Sequence, residues 1–234
     1  MSESSCDVVV IGAGIVGAAI AHELSRYDVA AVLLDREAEA GFGTSKANSG
    51  IIHGGHHTSI DTLKGQLEYP GNQMWDSLCA ELGFGFSRVG ELTVALSESD
   101  LDALDALLVN AEAKGIPGVE RWTPDQVRRA EPNVTTELLG AVFSPNTAVV
   151  NPYEAVFGLV EAAVANGVEL RTGSEVVGLE LTNDRWCVRT PSEQIHARFV
   201  LNAAGLGAAR VAQMAGVDGF EIRGRKGEEL SLIH

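Results

Sequence analysis

Six residues near the start of the chain, Gly12-Ala13-Gly14-Ile15-Val16-Gly17, have the types and the spacing to hold a phosphate. Glycine at the first position makes a tight turn. At the third it lets backbone approach a pyrophosphate, and at the sixth it lets a helix pack closely on a strand. The N-terminus of the helix that follows stabilises the phosphate charge. Asp35 stands 18 residues beyond Gly17, where a carboxylate accepts hydrogen bonds from ribose hydroxyls. Such a glycine pattern is weak alone. Here it follows a β-branched run and opens a helical one, which is the context the motif needs. The competing explanation is a glycine-rich turn with no ligand.

A second stretch, residues 41–57, is small, polar and glycine-dense, with no period: Gly-Phe-Gly-Thr-Ser-Lys-Ala-Asn-Ser-Gly-Ile-Ile-His-Gly-Gly-His-His. Ile51 and Ile52 make it too apolar for a flexible linker, so it reads as an ordered loop against a ligand. The fingerprint by itself does not choose between NAD and FAD. Thr44-Ser45, Asn48-Ser49-Gly50 and Gly54-Gly55 supply close backbone with hydroxyl and amide partners for a flavin's ribityl chain and ring, which argues for FAD. The adjacent pair His56-His57 raises the question of a metal. No further residue at ligand spacing lies near it in sequence, so no metal is expected. Cys6, Cys79 and Cys187 lie far apart, form no CxxC pair and read as packing residues.

The elements that would position these residues follow from patterning. Asp7 to Ile11 and Ala30 to Leu34 read as buried parallel strands flanking a helix from Gly14 to Arg26, a βαβ unit. Met74, Leu78 and Leu82 predict an amphipathic helix from about Gly71. Gly90 to Leu96 reads as a strand, and Ser97 caps a helix carrying Leu101, Leu104, Leu107, Leu108 and Ala111. Thr123-Pro124-Asp125-Gln126 and Asn151-Pro152-Tyr153-Glu154 are helix starts, the second helix stopping at Asn166-Gly167. Strands are expected at Val168 to Arg171, Glu175 to Leu181, Arg185 to Thr190 and Ala197 to Asn202. The last leads through Ala203-Ala204-Gly205 into a helix ending at Gly216.

Composition bounds the function. The 234 residues carry a net charge of −15, and 45% are hydrophobic. A globular core is therefore expected, and sequence-independent binding to nucleic acid or an anionic membrane is disfavoured. Glycine numbers 26, about 11% against a usual ~7%. The longest uncharged apolar stretch, Val8 to Ala21, reaches only roughly 20 Å as a helix, too short for a bilayer. The N-terminus has no basic region of the kind that opens a secretory signal. Cysteine usage fits a reducing compartment, hence a cytoplasmic location, with peripheral membrane attachment as the alternative.

Together, DVVVIGAGIVGAAIAHELS, the loop TSKANSGIIHGG, TLK at 62–64 and the strand-turn FVLNAAG resemble the D-amino-acid-oxidase-type flavoproteins. Within these the chain is most similar to FAD-dependent glycerol-3-phosphate oxidases and dehydrogenases, with L-2-hydroxyglutarate oxidases as near relatives. The resemblance runs to about Lys226. It implies an α/β fold: a Rossmann-like FAD-binding domain (glutathione-reductase type) interrupted by a partial α+β substrate domain. The corresponding segments are FAD-binding at 1–83 and 151–220, inserted substrate domain at 84–150, and the start of a further substrate-domain segment at 221–234.

The same resemblance assigns roles. Gly12, Gly14, Ile15, Val16, Gly17, Asp35, Arg36, Thr44, Ser45, Asn48, Ser49, Gly50, Ile52, Val176, Ala203 and Gly205 would contact FAD, Val176 through its backbone near the adenine. His53 matches a histidine placed near the flavin, where an imidazole can take the hydroxyl proton of an alcohol. The alternative for His53 is a structural hydrogen bond within the loop. Lys46 and Lys64 would offset the charge of a small anionic substrate, or else lie solvated on the surface. The activity implied is oxidation of such a substrate, with O₂ or a quinone as electron acceptor. Related enzymes more often carry Tyr-Asp where His56-His57 stand and Pro-Gly near Ile60-Asp61, which implies a different pocket mouth. They are also longer, with further substrate-domain strands and a closing glycine-rich segment. The resemblance therefore implies that these residues alone do not close the flavin pocket, as expected of a C-terminally truncated or frameshifted half or of one part of a split enzyme that a partner chain would complete. A non-catalytic fragment or subunit, an L-2-hydroxyglutarate-type or amino-acid oxidase, and an NAD-linked dehydrogenase are the competing readings.

Overall fold

The computed structural model describes residues 2–227. Residues 228–234, within the 221–234 segment read as the start of a further substrate-domain segment, lie outside the described residues. In chain order the elements are β1 (Ser2–Ile11), α1 (Ile15–Leu24), β2 (Ala31–Leu34), β3 (Ile51–Ile52), α2 (Leu63–Leu82), β4 (Phe86–Arg88), β5 (Glu91–Ala95), α3 (Glu98–Ala113), β6 (Glu120–Trp122), α4 (Pro124–Ala130), β7 (Gly140–Ser144), β8 (Ala148–Val150), α5 (Pro152–Ala165), β9 (Glu169–Arg171), β10 (Gly178–Thr182), β11 (Arg185–Arg189), β12 (Glu193–Asn202) and α6 (Ala208–Met214). They fall into two compact units: Met1–Ser49 with Leu82–Phe84 and Asn151–His234, and Gly50–Glu81 with Gly85–Val150.

The first unit is built on a six-stranded sheet in the order β10-β11-β12-β1-β2-β9. β1 sits between β12 and β2 and is parallel to both, and β9 continues the parallel set beside β2. β10, β11 and β12 pair antiparallel. Val8, Val9, Val10 and Ile11 are all buried, as a strand covered on both faces requires. Side chains alternate along each strand. Val9, Ile11, Val32, Leu34, Val188, Ile195 and Ala197 form one core with Val211 of α6. Val10 and Leu33, both at 0% exposure, belong to the other face, where α1 packs on β1 and β2 and against α5. Ala18 and Ala21 of α1 and Ala155 and Ala163 of α5 are fully buried, and their small side chains let the two helices approach closely. Ile11 pairs with both Asn202 and Leu34. The three central strands therefore end together, and the turns after them gather at one edge of the sheet, where open α/β sheets bind ligands.

The second unit carries two antiparallel three-stranded sheets, β3-β8-β4 and β5-β7-β6. α3 packs on β5 and β7 through Leu104, with Ala95 and Val142 beneath it. Its start is fixed by Asp100, whose Oδ2 accepts the N–H of Ser97 at 2.8 Å. α4 begins at Thr123 and Pro124 as its capping pattern predicts, and covers Leu138 and Ala141 with Val127. Trp122 stacks on Phe143 with ring centroids 4.3 Å apart.

Two expectations are corrected here. α2 begins at Leu63, not near Gly71, and runs through Pro70. Thr62 starts it: its Oγ1 accepts the Gly65 N–H at 3.0 Å. Proline removes one interior hydrogen bond without ending the helix. The buried face of α2 is Gly65 and Asn72, while Met74 is 67% exposed, so the apolar four-residue spacing marked the wrong face. In addition β4, β6, β7 and β8, of three to five residues, had no counterpart in the sequence reading, because so short a run carries too little periodicity.

Candidate functional site

In the first unit the turn after β1 is tightly constrained. Gly12 has φ +105°, and a Cβ there would lie 2.5 Å from the Ala203 carbonyl oxygen. A Cβ on Gly17 would lie 1.8 Å from the Gly12 oxygen. A Cβ on Gly14 would meet only the Ser45 Oγ, at 3.0 Å. So Gly12 and Gly17 are required by the fold itself, whereas Gly14 keeps an approach open. Ala203 is tied into the same turn, its N–H donating to the Ile11 oxygen at 2.9 Å.

Asp35 joins the ends of two strands. Its Oδ2 accepts the Ala13 N–H at 2.7 Å and its Oδ1 accepts the Glu37 N–H at 2.9 Å. Each carboxylate oxygen retains a second lone pair for an outside donor. At the start of α1, Gly14 offers no capping side chain, and the Ile15 N–H is met by Ser45 Oγ at 2.9 Å. The first helical bond is Ala18 N–H to the Gly14 oxygen at 2.8 Å, so the Val16 and Gly17 N–H groups precede it. These are the donors a phosphate takes at a helix N-terminus.

Thr44, Ser45 and Lys46 form a 3-10 turn, closed by Asn48, whose Nδ2 donates to the Ser45 oxygen at 2.7 Å. Thr44, Asn48 and Ser49 are exposed, and Lys46 Nζ lies 2.9 Å from the centroid of the Phe42 ring. Arg36 is exposed and pairs with Glu37 at 3.0 Å. Val176 is buried with its side chain in the core, and Gly205 has φ +54° beside the exposed end of β12.

The second unit holds Gly50, Ile52 and His53. Gly50 has φ +68°, and its oxygen accepts the Val150 N–H at 2.9 Å. His53 is exposed. Its carbonyl accepts Asn72 Nδ2 at 2.9 Å, and the same nitrogen reaches the Asn146 oxygen at 2.9 Å. Arg88 Nη1 bonds Asn72 Oδ1 at 3.0 Å and the Asn146 oxygen at 2.6 Å, and its guanidinium pairs with Asp76. This network fixes the backbone that carries His53, and it was not foreseen from sequence. The sole signal was the polar Asn72 on a helix face that turns out to be buried. Lys64 is exposed at the start of α2.

Gly54 and Gly55 behave differently from the sequence reading. A Cβ on Gly54 would meet Ser144 Oγ at 2.7 Å and Thr147 Oγ1 at 2.9 Å; one on Gly55 would meet Tyr69 Cβ at 2.9 Å. Their smallness is used against protein atoms. His57 Nε2 lies 2.6 Å from Glu91 Oε1, and Thr147 Oγ1 donates to Glu91 Oε2 at 2.8 Å. The pairing with His57 holds the Glu91 carboxyl down at about 2. The same hydrogen bond raises His57 above its ordinary value, while burial lowers His56.

Comparison with known proteins places this geometry. The family profile "DAO: FAD dependent oxidoreductase" matches residues 7–232. The chain belongs to this DAO family. Within it, the chain is 35% identical to a glycerol 3-phosphate dehydrogenase of Caloramator mitchellensis, over 95% of this chain and 46% of that protein. It is 30% identical to an L-2-hydroxyglutarate dehydrogenase of Escherichia coli, over 97% of this chain and 54% of that protein. Among solved structures it is similar to the dithionite-reduced L-alpha-glycerophosphate oxidase of Mycoplasma pneumoniae with FAD bound. The TM-score is 0.90 and the identity 27%, over 93% of this chain and 59% of that one. The chain spans about half the length of the curated relatives it matches. The α/β fold with its parallel sheet is the one these DAO structures share. The glycine turn, the close approach that Gly14 permits and the α1 amides that precede the first helical bond fit the ADP half of FAD.

Proposed function

We propose that this DAO-family chain belongs to an FAD-dependent oxidoreductase that oxidises a small anionic secondary alcohol, glycerol 3-phosphate first among them. The observation that carries the cofactor is the glycine turn with Asp35 bonded into it. The substrate rests on the 35% identity to a glycerol 3-phosphate dehydrogenase. The 30% identity to an L-2-hydroxyglutarate dehydrogenase favours a 2-hydroxy acid as the second reading.

Gly12, Gly14, Ile15, Val16 and Gly17 would hold the pyrophosphate of FAD through backbone. Asp35 and Arg36 would take the ribose side, and the Val176 backbone, Ala203 and Gly205 the rest of the ADP half. Thr44, Ser45, Asn48, Ser49, Gly50 and Ile52 would line the remainder. FAD held by these residues would supply a two-electron acceptor for the hydride of the alcohol carbon. His53 takes the hydroxyl proton as the carbonyl forms, work suited to an imidazole near neutral pH. Its backbone is held by Asn72, so the ring turns about a fixed anchor. Lys46 and Lys64 are the cations assigned to the substrate anion, and O₂ or a quinone takes the electrons onward.

The test is anaerobic addition of glycerol 3-phosphate, and separately L-2-hydroxyglutarate, to the flavin-loaded protein while its visible band is followed. Bleaching by the first supports the primary reading, and bleaching by the second alone supports the other. A flavin band that neither bleaches contradicts both.

A further inference from the structure

The loop after β3 contains a cluster whose parts lie far apart in sequence. His56 is fully buried, at 0% exposure, yet neither Nδ1 nor Nε2 has a hydrogen-bond partner among the described residues. A buried imidazole with both nitrogens unsatisfied demands an explanation. Its ring lies 4.2 Å, centroid to centroid, from that of His57, so these adjacent side chains share one side of the loop. His57 in turn meets Glu91, the first residue of β5, at 2.6 Å. One ligand atom from each of His56, His57 and Glu91 can be chosen so that all three lie within 4.8 Å of one another.

We propose that His56, His57 and Glu91 bind one divalent transition-metal ion of the zinc type. Two imidazoles and a carboxylate are a ligand set that Zn²⁺ takes readily, with a fourth position left for water. Donors around tetrahedral zinc stand roughly 3.3 Å apart, so the His57–Glu91 pair at 2.6 Å must open slightly while the widest of the separations, all within 4.8 Å, closes, both within reach of side-chain rotation. The surroundings are built for this. Thr147 Oγ1 orients Glu91 from behind at 2.8 Å. Asn110 Nδ2 holds the carbonyls of His56 and Thr58 at 2.6 and 2.9 Å, and Lys114 Nζ holds that of Gly55 at 2.6 Å. The Lys114 charge is met by Glu68 at 3.9 Å. The side chains of His57 and Glu91 are 34% and 25% exposed, which gives an ion a way in. The ion would staple the loop that carries His53 to β5, independently of the flavin and of the substrate.

The test uses the full chain without a histidine tag, stripped with a chelator and titrated with Zn²⁺ against a chromophoric indicator. The expected result is one equivalent bound per chain at micromolar affinity or tighter. Glu91→Gln and His57→Gln should each weaken it at least tenfold. His196→Gln, in β12 of the other unit, should leave it unchanged. X-ray absorption of the zinc-loaded wild type gives a readout that does not depend on any variant folding: two imidazoles and oxygen ligands are expected. No stoichiometric uptake, uptake unchanged in Glu91→Gln, a sulfur ligand or fewer than two imidazoles overturns the proposal.

Discussion

The backbone N–H of Ala13 donates to Asp35 Oδ2 at 2.7 Å, so the carboxylate that ends β2 is bonded into the glycine turn that ends β1. One residue thus both shapes the turn and keeps lone pairs available to a ligand. Asp35→Ala removes acceptors from two backbone N–H groups and should cost about 1–3 kcal/mol of stability, with weaker FAD binding. Urea unfolding and a flavin fluorescence titration read the two effects. Unchanged stability would contradict the structural half of this assignment.

Two of the fingerprint glycines, Gly17 and Gly14, should separate by cause. Gly17→Ala drives a Cβ to 1.8 Å from the Gly12 oxygen, a backbone clash with no easy relief. It should destabilise the first unit by about 3 kcal/mol. Gly14→Ala meets only the Ser45 hydroxyl at 3.0 Å, which can rotate aside. Stability should fall by only about 1 kcal/mol, while FAD affinity drops sharply. Parallel losses of stability in both variants would remove the distinction.

Asn72 is 2% exposed and serves the His53 carbonyl, the Asn146 carbonyl and Arg88 together. Asn72→Leu leaves the His53 carbonyl without its donor, while the Asn146 carbonyl and Arg88 keep each other, at a cost of about 1–2 kcal/mol. In the active protein it should lower kcat more than it changes FAD affinity, because the anchor of His53 is released. His53→Ala should keep FAD bound and lower turnover by roughly 10²–10⁴-fold, the usual worth of a general base. Full activity in His53→Ala would end its assignment as the base.

The His57–Glu91 pair sets a pH window. The Glu91 carboxyl is lowered from 4.5 to about 2, so its contribution is complete above the ordinary value and lost as pH falls toward 2. His57 is raised from 6.5, so its contribution is complete below that value and lost as pH rises through the raised one. In chelator-treated protein the stability gap between wild type and Glu91→Gln should therefore be widest between about pH 4.5 and 6.5. Partial exposure limits it to ~1 kcal/mol. Thermal unfolding across pH measures it, and a gap that does not vary with pH would contradict the pairing.

What could be read from sequence divides along physical lines. The βαβ unit was legible because β1 is buried on both faces and Gly12, Gly14 and Gly17 mark the turn directly. The starts of α3, α4 and α5 were legible because capping chemistry is local. The anchor of His53 was not, since it joins Asn72, Arg88 and Asn146 across long separations. Glu91 likewise lies 34 residues from His57, and pairing of this kind exists only once the strands are in register. Gly54 and Gly55 show the limit of reading glycine as ligand approach, for their close neighbours are protein atoms.

The measurement that bears most directly on the account is a fluorescence titration of FAD into the purified, folded chain, with ADP as competitor. Saturable one-to-one binding is expected, displaced by ADP and abolished in Gly14→Val while circular dichroism stays unchanged. No saturable binding by the folded chain, or equal binding by Gly14→Val, would contradict it.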